Sequence, residues 1–218
     1  MAYLLHNYFR SSSSYRVRIA LNVKGLEYDY RSVHLNRNGG EQFEAQFRAL
    51  SPDAVVPVLE VDGKHLLQST AIIEWLEETH PAPALLPSAP DARAWVRALC
   101  ATIACEIHPL NNLRVLKYLT GPMGLGTEQK EQWTRHWCED GLAAVEALLA
   151  RRAQATPFCH GDTPGMADVF LVPQVFNAQR FGVDVAAFPL IAAIVERCNS
   201  LPAFSAAHPA RQPDAEIT

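Results

Sequence analysis

Four consecutive serines at positions 11–14 interrupt the sequence between an apolar run and a helical pattern, and this junction constrains the fold most strongly. The apolar run over residues 2–9 predicts a strand, and the periodic apolar residues after the serines predict a helix over residues 13–24. The serines therefore lie at the first turn of a helix, which carries unpaired N–H groups and the positive end of the helix dipole. Such a turn can bind an anion, including a thiolate, which a helix N-terminus stabilises. The serine run contains no cysteine, so a thiolate at this turn would belong to a ligand.

Small polar residues also cap helices and fill loops without any ligand, so the serines alone do not establish a binding site. Three arginines, Arg10, Arg16 and Arg18, add positive charge around the run and favour the anion interpretation. Both interpretations remain open at this point.

The segment after the first helix predicts a strand parallel to the first, a short helix, a hairpin and another helix. The hairpin rests on Asp62-Gly63, which stands between two apolar runs, and Ser69 is the expected cap of the helix that follows it. These elements are expected over residues 28–35, 42–50, 56–67 and 69–79.

Four prolines between residues 80 and 90 cannot continue a helix and predict an extended connector. Beyond the connector the apolar spacing is helical, with one long helix over residues 91–119 that should bend at His108-Pro109. The polar tail from His208 is expected to be loosely ordered. We therefore expect a first domain over residues 1–80, a linker over 81–90 and a helical domain over 91–218.

The composition excludes several classes of protein. A net charge of −4 and a sequence pI of about 6.1 do not suggest a nucleic-acid binder, and no apolar run approaches the length of a membrane span. The five cysteines are odd in number and show no C-x-x-C spacing, which favours free thiols in a reducing cytoplasm. Histidines and cysteines also lack metal-ligand spacing, so no metal is expected.

The stretch Ser11-Ser-Ser-Ser-Tyr-Arg-Val-Arg-Ile-Ala-Leu21 resembles the signature of the zeta class of glutathione transferases, which reads Ser-Ser-Cys-Ser, an aromatic residue, then Arg-Val-Arg-Ile-Ala-Leu. The resemblance implies the glutathione transferase fold, in which an α/β thioredoxin-like N-terminal domain precedes an all-α C-terminal domain, and it implies a homodimer. It covers nearly the whole chain. Further motifs in family order are Gly39-Gly-Glu-Gln-Phe43, Leu50-Ser-Pro52, Val56-Pro-Val-Leu59, Gln68-Ser-Thr-Ala-Ile-Ile-Glu-Trp-Leu76, Ile107-His-Pro-Leu-Asn-Asn112, Val172-Pro-Gln-Val175 and Arg180-Phe181.

Members of this class use glutathione to isomerise maleylacetoacetate to fumarylacetoacetate, or maleylpyruvate to fumarylpyruvate, in the breakdown of aromatic compounds. Ser13 stands where many members carry cysteine, which makes chemistry through a protein thiol less expected. Two alternatives remain open. One is a general glutathione transferase or a dehalogenase of α-halo acids, and the other is a non-enzymatic interaction protein that keeps the fold and has lost the site.

The resemblance also assigns residues to glutathione. It implies that the serine turn holds the sulfur as a thiolate, and that a cis bond before Pro57 turns the Val56 backbone outward to pair with the cysteinyl portion. His108 and Asn112 are further candidates for ligand contact. The simpler interpretation of His108 is a histidine whose hydrogen bonds are made within the protein. The complete set is Ser11, Ser12 and Ser13 at the sulfur, Val56 at the cysteinyl portion, Gln68 and Ser69 at the γ-glutamyl end, Gln42 at the glycyl end, and His108 with Asn112.

Three arginines on different elements, Arg10, Arg114 and Arg180, match family positions that serve one site. The maleyl substrates are dianions with separated carboxylates, and guanidinium is a planar partner for a carboxylate. Any one of them could be an ordinary surface arginine. The resemblance implies that all three bind substrate, and Arg10 is the first candidate for stabilising the charge that develops during the reaction.

Overall fold

A computed structural model describes residues 1–152 and 154–216. The chain divides into two compact units, one formed by residues 1–85 with the segment from Ser200, and one formed by residues 86–199. The division near residue 85 falls inside the predicted linker. The C-terminal segment differs from expectation, because it packs in the first unit and not in the helical one. Asn22 Nδ2, for example, donates to the carbonyl of Ala203 over 2.9 Å.

The first unit contains a four-stranded mixed sheet in the order β2-β1-β3-β4. Strand β1 pairs in parallel with β2 and antiparallel with β3, and β3 pairs antiparallel with β4 across Asp62-Gly63. This is the predicted βαβαββα order, which confirms the thioredoxin-like class. The elements are β1 (Tyr3–Asn7), α1 (Ser12–Val23), β2 (Asp29–Ser32), α2 (Ala45–Leu50), β3 (Val58–Val61), β4 (Lys64–Leu67) and α3 (Ser69–Thr79).

A buried lysine fixes the chain after α3 to the first unit. Lys24 Nζ donates to the carboxylate of Glu77 over 2.8 Å and to the carbonyls of His80 and Pro83 over 2.6 and 2.9 Å. Glu77 also accepts the Leu85 N–H over 2.9 Å. The first half of the predicted linker is therefore held by hydrogen bonds, which explains why the first unit extends to residue 85.

The second unit is helical, as predicted, but its first long helix is interrupted. A π-helical segment (Thr102–Ile107) and a 3-10 turn (His108–Asn111) separate α4 (Pro90–Ala101) from α5 (Leu113–Thr120). Pro109 has no N–H to donate and its ring clashes with the preceding turn, so the expected bend becomes a break. The remaining helices are α6 (Thr127–Ala150), α7 (Met166–Arg180) and α8 (Pro189–Asn199).

The helix α7 begins after Gly165, which occupies the cap position. Asp168 Oδ2 accepts the Gly165 N–H over 2.8 Å, and Oδ1 accepts the Cys159 N–H over 2.9 Å. The carboxylate is fully buried, and burial raises the pKa of Asp168 against the opposing effect of these hydrogen bonds. Asp168 thus joins the loop before α7 to the helix.

The polar tail is ordered through Glu216, contrary to expectation. The helix α9 (Pro202–Ala207) precedes the tail, and a 3-10 turn (Pro209–Arg211) forms its first part; neither element is predicted from the sequence. Gln212 Nε2 donates to the carbonyls of Ala206 and His208 over 2.9 Å each, which folds the chain back on α9. In the residues that the structure covers, no helix has the length and apolar character needed to cross a membrane.

Gly141 in α6 lies against the π-helical segment. A Cβ at this position would lie 2.3 Å from Cγ1 and 2.5 Å from Cδ1 of the fully buried Ile107. We expect Gly141→Ala to lower the free energy of unfolding by about 1–3 kcal/mol through overpacking. This is the opposite of the usual gain of about 1 kcal/mol when alanine replaces a helical glycine. Urea unfolding of the variant measures the change.

Ala144→Gly, at an exposed position of the same helix, is the matched control for helix propensity. The contact itself is isolated by a double-mutant cycle with Ile107→Ala, in which the double variant should be less destabilised than the sum of the single variants. A stabilised Gly141→Ala protein, or strict additivity, would show that the close approach has no energetic consequence.

Candidate active site

Ser11 is the cap of α1, which begins one residue before the predicted start. Its backbone is extended (φ −69°, ψ 121°), and its hydroxyl accepts the Ser14 N–H over 3.2 Å. The capping interpretation of the serines is therefore correct for Ser11. It leaves the remaining N–H groups of the first turn available, so it does not compete with anion binding.

A chain of hydrogen bonds connects this cap to the loop before β3. Ser11 Oγ lies 3.1 Å from Ser13 Oγ, and Ser13 Oγ donates to the Val56 carbonyl over 3.1 Å. Each hydroxyl has one proton, so Ser13 cannot also donate to Ser11. The Ser11 proton must point to Ser13, and it is the proton that can turn toward an arriving anion without breaking the contact with Val56.

Ser12 differs from its neighbours. It is buried at 6% exposure, and its hydroxyl takes no part in this chain. The structure therefore brings together two of the three serine hydroxyls proposed for the sulfur.

The three arginines near the serines have different environments, which corrects the idea that all of them place charge at the serine run. Arg18 is fully buried and donates to Asn7 Oδ1 and the Phe9 carbonyl, both over 2.9 Å, and burial lowers the pKa of its guanidinium. Arg16 is also buried and donates to Ser69 Oγ over 3.4 Å. Arg10 is half-buried, with its guanidinium 5.0 Å from the Phe9 ring centroid. Among these three, only Arg10 is substantially accessible.

The peptide bond between Val56 and Pro57 is cis, as the resemblance implied. Val56 is buried at 7% exposure, and its carbonyl is the acceptor for Ser13. The backbone segment proposed to pair with a peptide ligand is therefore linked directly to the serine turn.

The start of α3 corrects the predicted cap, because Gln68 and not Ser69 occupies the cap position. Gln68 has φ 65° and ψ 118°, a region that costs a residue other than glycine about 1–3 kcal/mol. Its Nε2 donates to Asp53 Oδ2 over 3.0 Å, and Ser51 Oγ lies 2.8 Å from Asp53 Oδ1. Sequence analysis missed Asp53, and its position directly after the Leu50-Ser-Pro52 motif was the only available signal.

The Gln42 side chain packs against Gly40, and the residue is only 4% exposed to solvent. Its Nε2 donates to the Leu35 carbonyl over 3.4 Å, while its Oε1 has no hydrogen-bond partner within residues 1–152 and 154–216. Gly40 has φ 114°, and a Cβ there would lie 2.7 Å from the Gln42 amide. The glycine is needed both for its backbone conformation and for this contact.

The other candidates lie in the second unit. Asn112 caps α5 through its side-chain oxygen, which accepts the Arg114 N–H over 3.1 Å. Arg114 is exposed in the first turn of α5, and His108 is half-buried in the 3-10 turn. Arg180 is the exposed last residue of α7, 5.7 Å from the Phe181 ring centroid. Their roles as ligand residues stay predictions.

The cysteines belong to the core and not to this chemistry, apart from the exposed Cys105. Asn111 Nδ2 donates to Cys138 Sγ over 3.3 Å and to the Ile107 carbonyl over 3.2 Å, which ties the 3-10 turn to α6. Burial raises the pKa of Cys138 to about 12, so this thiol stays protonated and is not a nucleophile at neutral pH.

Both units match known family models. Residues 5–84 match the family described as "Glutathione S-transferase, N-terminal domain", and residues 131–201 match "Glutathione S-transferase, C-terminal domain". A structure described as maleyl pyruvate isomerase, a bacterial glutathione S-transferase in the zeta class, has a TM-score of 0.95 and 47% identity over 98% of this chain and 100% of that chain. This chain belongs to the zeta class of glutathione transferases.

Other relatives also match over nearly the whole chain. A probable maleylacetoacetate isomerase of Vibrio cholerae is 49% identical over 99% of both chains. A maleylacetoacetate isomerase of Anaeromyxobacter dehalogenans, solved with dicarboxyethyl glutathione and citrate in its active site, has a TM-score of 0.86 and 43% identity, and covers 99% of this chain and 98% of that one. The zeta-class membership predicted from the serine stretch is confirmed.

Proposed function

We infer that the protein is a glutathione-dependent cis-trans isomerase of maleyl dicarboxylates. The observation that carries this inference is the hydrogen-bonded pair of hydroxyls of Ser11 and Ser13. This pair lies at a helix N-terminus and next to Val56, whose bond to Pro57 is cis. Relatives that share nearly the full length of the chain include proteins named maleylacetoacetate or maleylpyruvate isomerase, and these names indicate the reaction of this thiol site.

The residues of the first unit fit a tripeptide thiol. The first turn of α1 offers N–H groups and the Ser11 hydroxyl to a thiolate, and Val56 offers backbone groups to the peptide. The first turn of α3 offers the Ser69 N–H to a carboxylate. The amide oxygen of the buried Gln42, which has no hydrogen-bond partner among the described residues, can accept a peptide N–H. We assign glutathione to these residues, with Gln68 beside its γ-glutamyl end.

Glutathione bound as a thiolate would supply reversible nucleophilic addition to the cis double bond, the chemistry that permits conversion to the trans isomer. The protein holds the sulfur in its anionic form through Ser11 and the helix end. Addition of a thiolate to maleate or fumarate gives a dicarboxyethyl thioether, the group found on glutathione in the Anaeromyxobacter relative. No protein side chain has to act as a nucleophile.

Arg10, Arg114 and Arg180 are proposed to bind the two carboxylates of the substrate, with His108 and Asn112 as further contacts. Arg10 follows the strand that leads directly into the serine turn, so it lies one residue from the Ser11 cap. We therefore propose that Arg10 stabilises the negative charge that develops on the substrate beside the sulfur.

The function is tested by an ultraviolet assay with maleylacetoacetate and with maleylpyruvate, each with and without glutathione. We expect conversion to the trans isomer only in the presence of glutathione, with no net consumption of the thiol. A thermal shift at millimolar glutathione should accompany it, because a ligand of the native state raises the apparent stability. Net loss of glutathione, or release of halide from α-halo acids, would favour the transferase or dehalogenase alternative. Absence of any shift would favour the interaction protein.

We expect Arg10→Ala and Arg180→Ala each to lower kcat/KM for the maleyl substrate by about 100-fold, because each removes a charged partner of a carboxylate. The dissociation constant of glutathione should change by less than about threefold, since that ligand is held by other residues. Steady-state kinetics and calorimetric titration measure the two quantities. Arg151→Ala, at an exposed position after α6, is the control. Unchanged turnover in both variants would remove these arginines from the mechanism.

We also propose a homodimer in the cytoplasm, as is usual for this class. Light scattering coupled to gel filtration tests the dimer, and a mass near the monomer's 24.1 kDa would contradict it.

A further inference from the structure

The ordered C-terminal tail places a carboxylate against the end of β1. Asp214 accepts the Phe9 N–H over 3.2 Å and the Ser32 hydroxyl over 2.8 Å, and it also accepts the Tyr30 hydroxyl. Burial, followed by the hydrogen bond to Asp214, raises the pKa of Tyr30, so the phenol stays protonated as the donor. One side chain from the tail thus connects β2 with the chain that enters the serine turn.

The backbone of Phe9 is held from both sides. Its N–H donates to Asp214, and its carbonyl accepts from Arg18 Nη2 over 2.9 Å. Arg18 in turn donates from Nε to the Ala207 carbonyl over 3.0 Å, so α9 supports the same residue. Arg10 and the Ser11 cap are the next two residues, so these contacts with Phe9 also restrain the position of their backbone.

A second carboxylate of the tail holds the loop after β2. Glu216 Oε1 lies 3.1 Å from His34 Nε2 and 2.8 Å from Arg37 Nη2. His34 Nδ1 accepts the N–H groups of Asn36 and Arg37 over 3.2 and 2.9 Å. Nδ1 is therefore an acceptor, and Nε2 must carry the proton that is donated to Glu216.

His34 passes this support to the segment that contains Gln42. Its backbone N–H donates to Glu41 Oε2 over 2.6 Å, and its carbonyl accepts the Glu41 N–H over 2.9 Å. Gln42 is the next residue and carries the unpartnered amide oxygen assigned to glutathione. Between the two carboxylates, Ala215 packs on a buried apolar cluster that includes Phe9 and Val56.

We propose that Asp214, Ala215 and Glu216, the C-terminal clamp, are positioning residues that hold the serine turn and the Gln42 loop in the geometry that binds glutathione. This proposal rests on the proposed function. None of the three residues is assigned to ligand contact, so the clamp acts through Phe9 and His34. Its two ends support different parts of the site and should therefore have separable effects.

The Glu216 end bonds to His34 and Arg37, which precede the Gln42 loop. Glu216→Gln should weaken the contact with Arg37 and raise the glutathione dissociation constant about fivefold, because a loop that must be ordered on binding lowers affinity. Its kcat at saturating glutathione should stay within about twofold of the wild type, since the serine turn is unchanged.

The Asp214 end supports the serine turn itself. Asp214→Asn cannot accept from all three donors, and its amide group would face at least one N–H or O–H. We expect kcat to fall about tenfold, because small displacements of a positioned thiolate reduce the rate strongly. A chain ending at Pro213 should combine both effects.

The test compares these variants with Asp162→Asn and Glu196→Gln, which change exposed acids of the second unit. Calorimetry gives the dissociation constant of glutathione without substrate, kinetics give kcat and KM, and hydrogen exchange reports on residues 34–43. The expected result is faster exchange and weaker binding in Glu216→Gln, a lower kcat in Asp214→Asn, and wild-type values in both controls.

Dissociation constants and kcat within twofold of the wild type in both clamp variants would overturn the clamp while leaving the function intact. A wild-type protein that does not bind glutathione would overturn the proposed function, and the clamp with it.

Discussion

We expect Ser11→Ala to lower kcat for the maleyl substrates by about 100- to 1,000-fold, the usual effect of removing one positioned donor from a developing or held anion. Ser13 directs its proton to Val56, so the Ser11 proton is the one that can turn to the glutathione sulfur under the proposed assignment. Without this donor, we expect the pKa of bound glutathione to rise and less thiolate to be present at neutral pH. Steady-state kinetics measure kcat, and the ultraviolet absorbance of the thiolate in the binary complex measures the pKa.

The same substitution removes the cap of α1, which costs about 1 kcal/mol of stability. The matched comparison is Ser12→Ala, in the same turn but outside the hydrogen-bond chain, for which we expect a loss in kcat of at most about threefold. Ser11→Thr keeps both the cap and the proton and should retain most of the activity. If Ser11→Ala were as active as the wild type while Ser13→Ala was inactive, the order of donors derived from the Val56 contact would be wrong.

We expect Lys24→Met to lower the free energy of unfolding by about 3–5 kcal/mol, because the substitution removes the lysine cation from the buried Glu77 carboxylate. The lysine side chain has no exposed surface, and the glutamate side chain is 8% exposed. Two carbonyls of the connector, at His80 and Pro83, lose their donor at the same time. Urea unfolding at neutral pH measures the change.

Lys64→Met, at an exposed position of β4, is the control and should change stability by less than about 0.5 kcal/mol. Replacing the pair together, as Lys24→Met with Glu77→Leu, should recover part of the loss because no unpaired charge remains. The recovery is incomplete, since Glu77 also accepts the Leu85 N–H. A single variant as stable as the wild type would mean that the buried pair does not hold the connector.

The elements with local signals were predicted well. The Asp62-Gly63 hairpin and the parallel pairing of β2 with β1 follow from turn chemistry and from the connecting helix, both of which are short-range in sequence. The break near His108 was predicted only as a bend, because apolar spacing does not distinguish an α-helix from a π-helical segment. The ordered tail was missed because its polar residues are satisfied by partners about 180 positions away, such as Asp214 with Ser32.

The sequence by itself determined the family and the fold, because the serine run and the motifs after it are specific patterns of neighbouring residues. It also named the residues that surround the proposed glutathione site. The tertiary structure decided how the protons are arranged between Ser11 and Ser13, since that order depends on the Val56 carbonyl from another segment. It also decided that the buried Arg18 donates to the Phe9 carbonyl and that Asp214 of the tail accepts the Phe9 N–H. Hydrogen bonds between distant segments form only when the chain is folded, so no local pattern in the sequence could have revealed them.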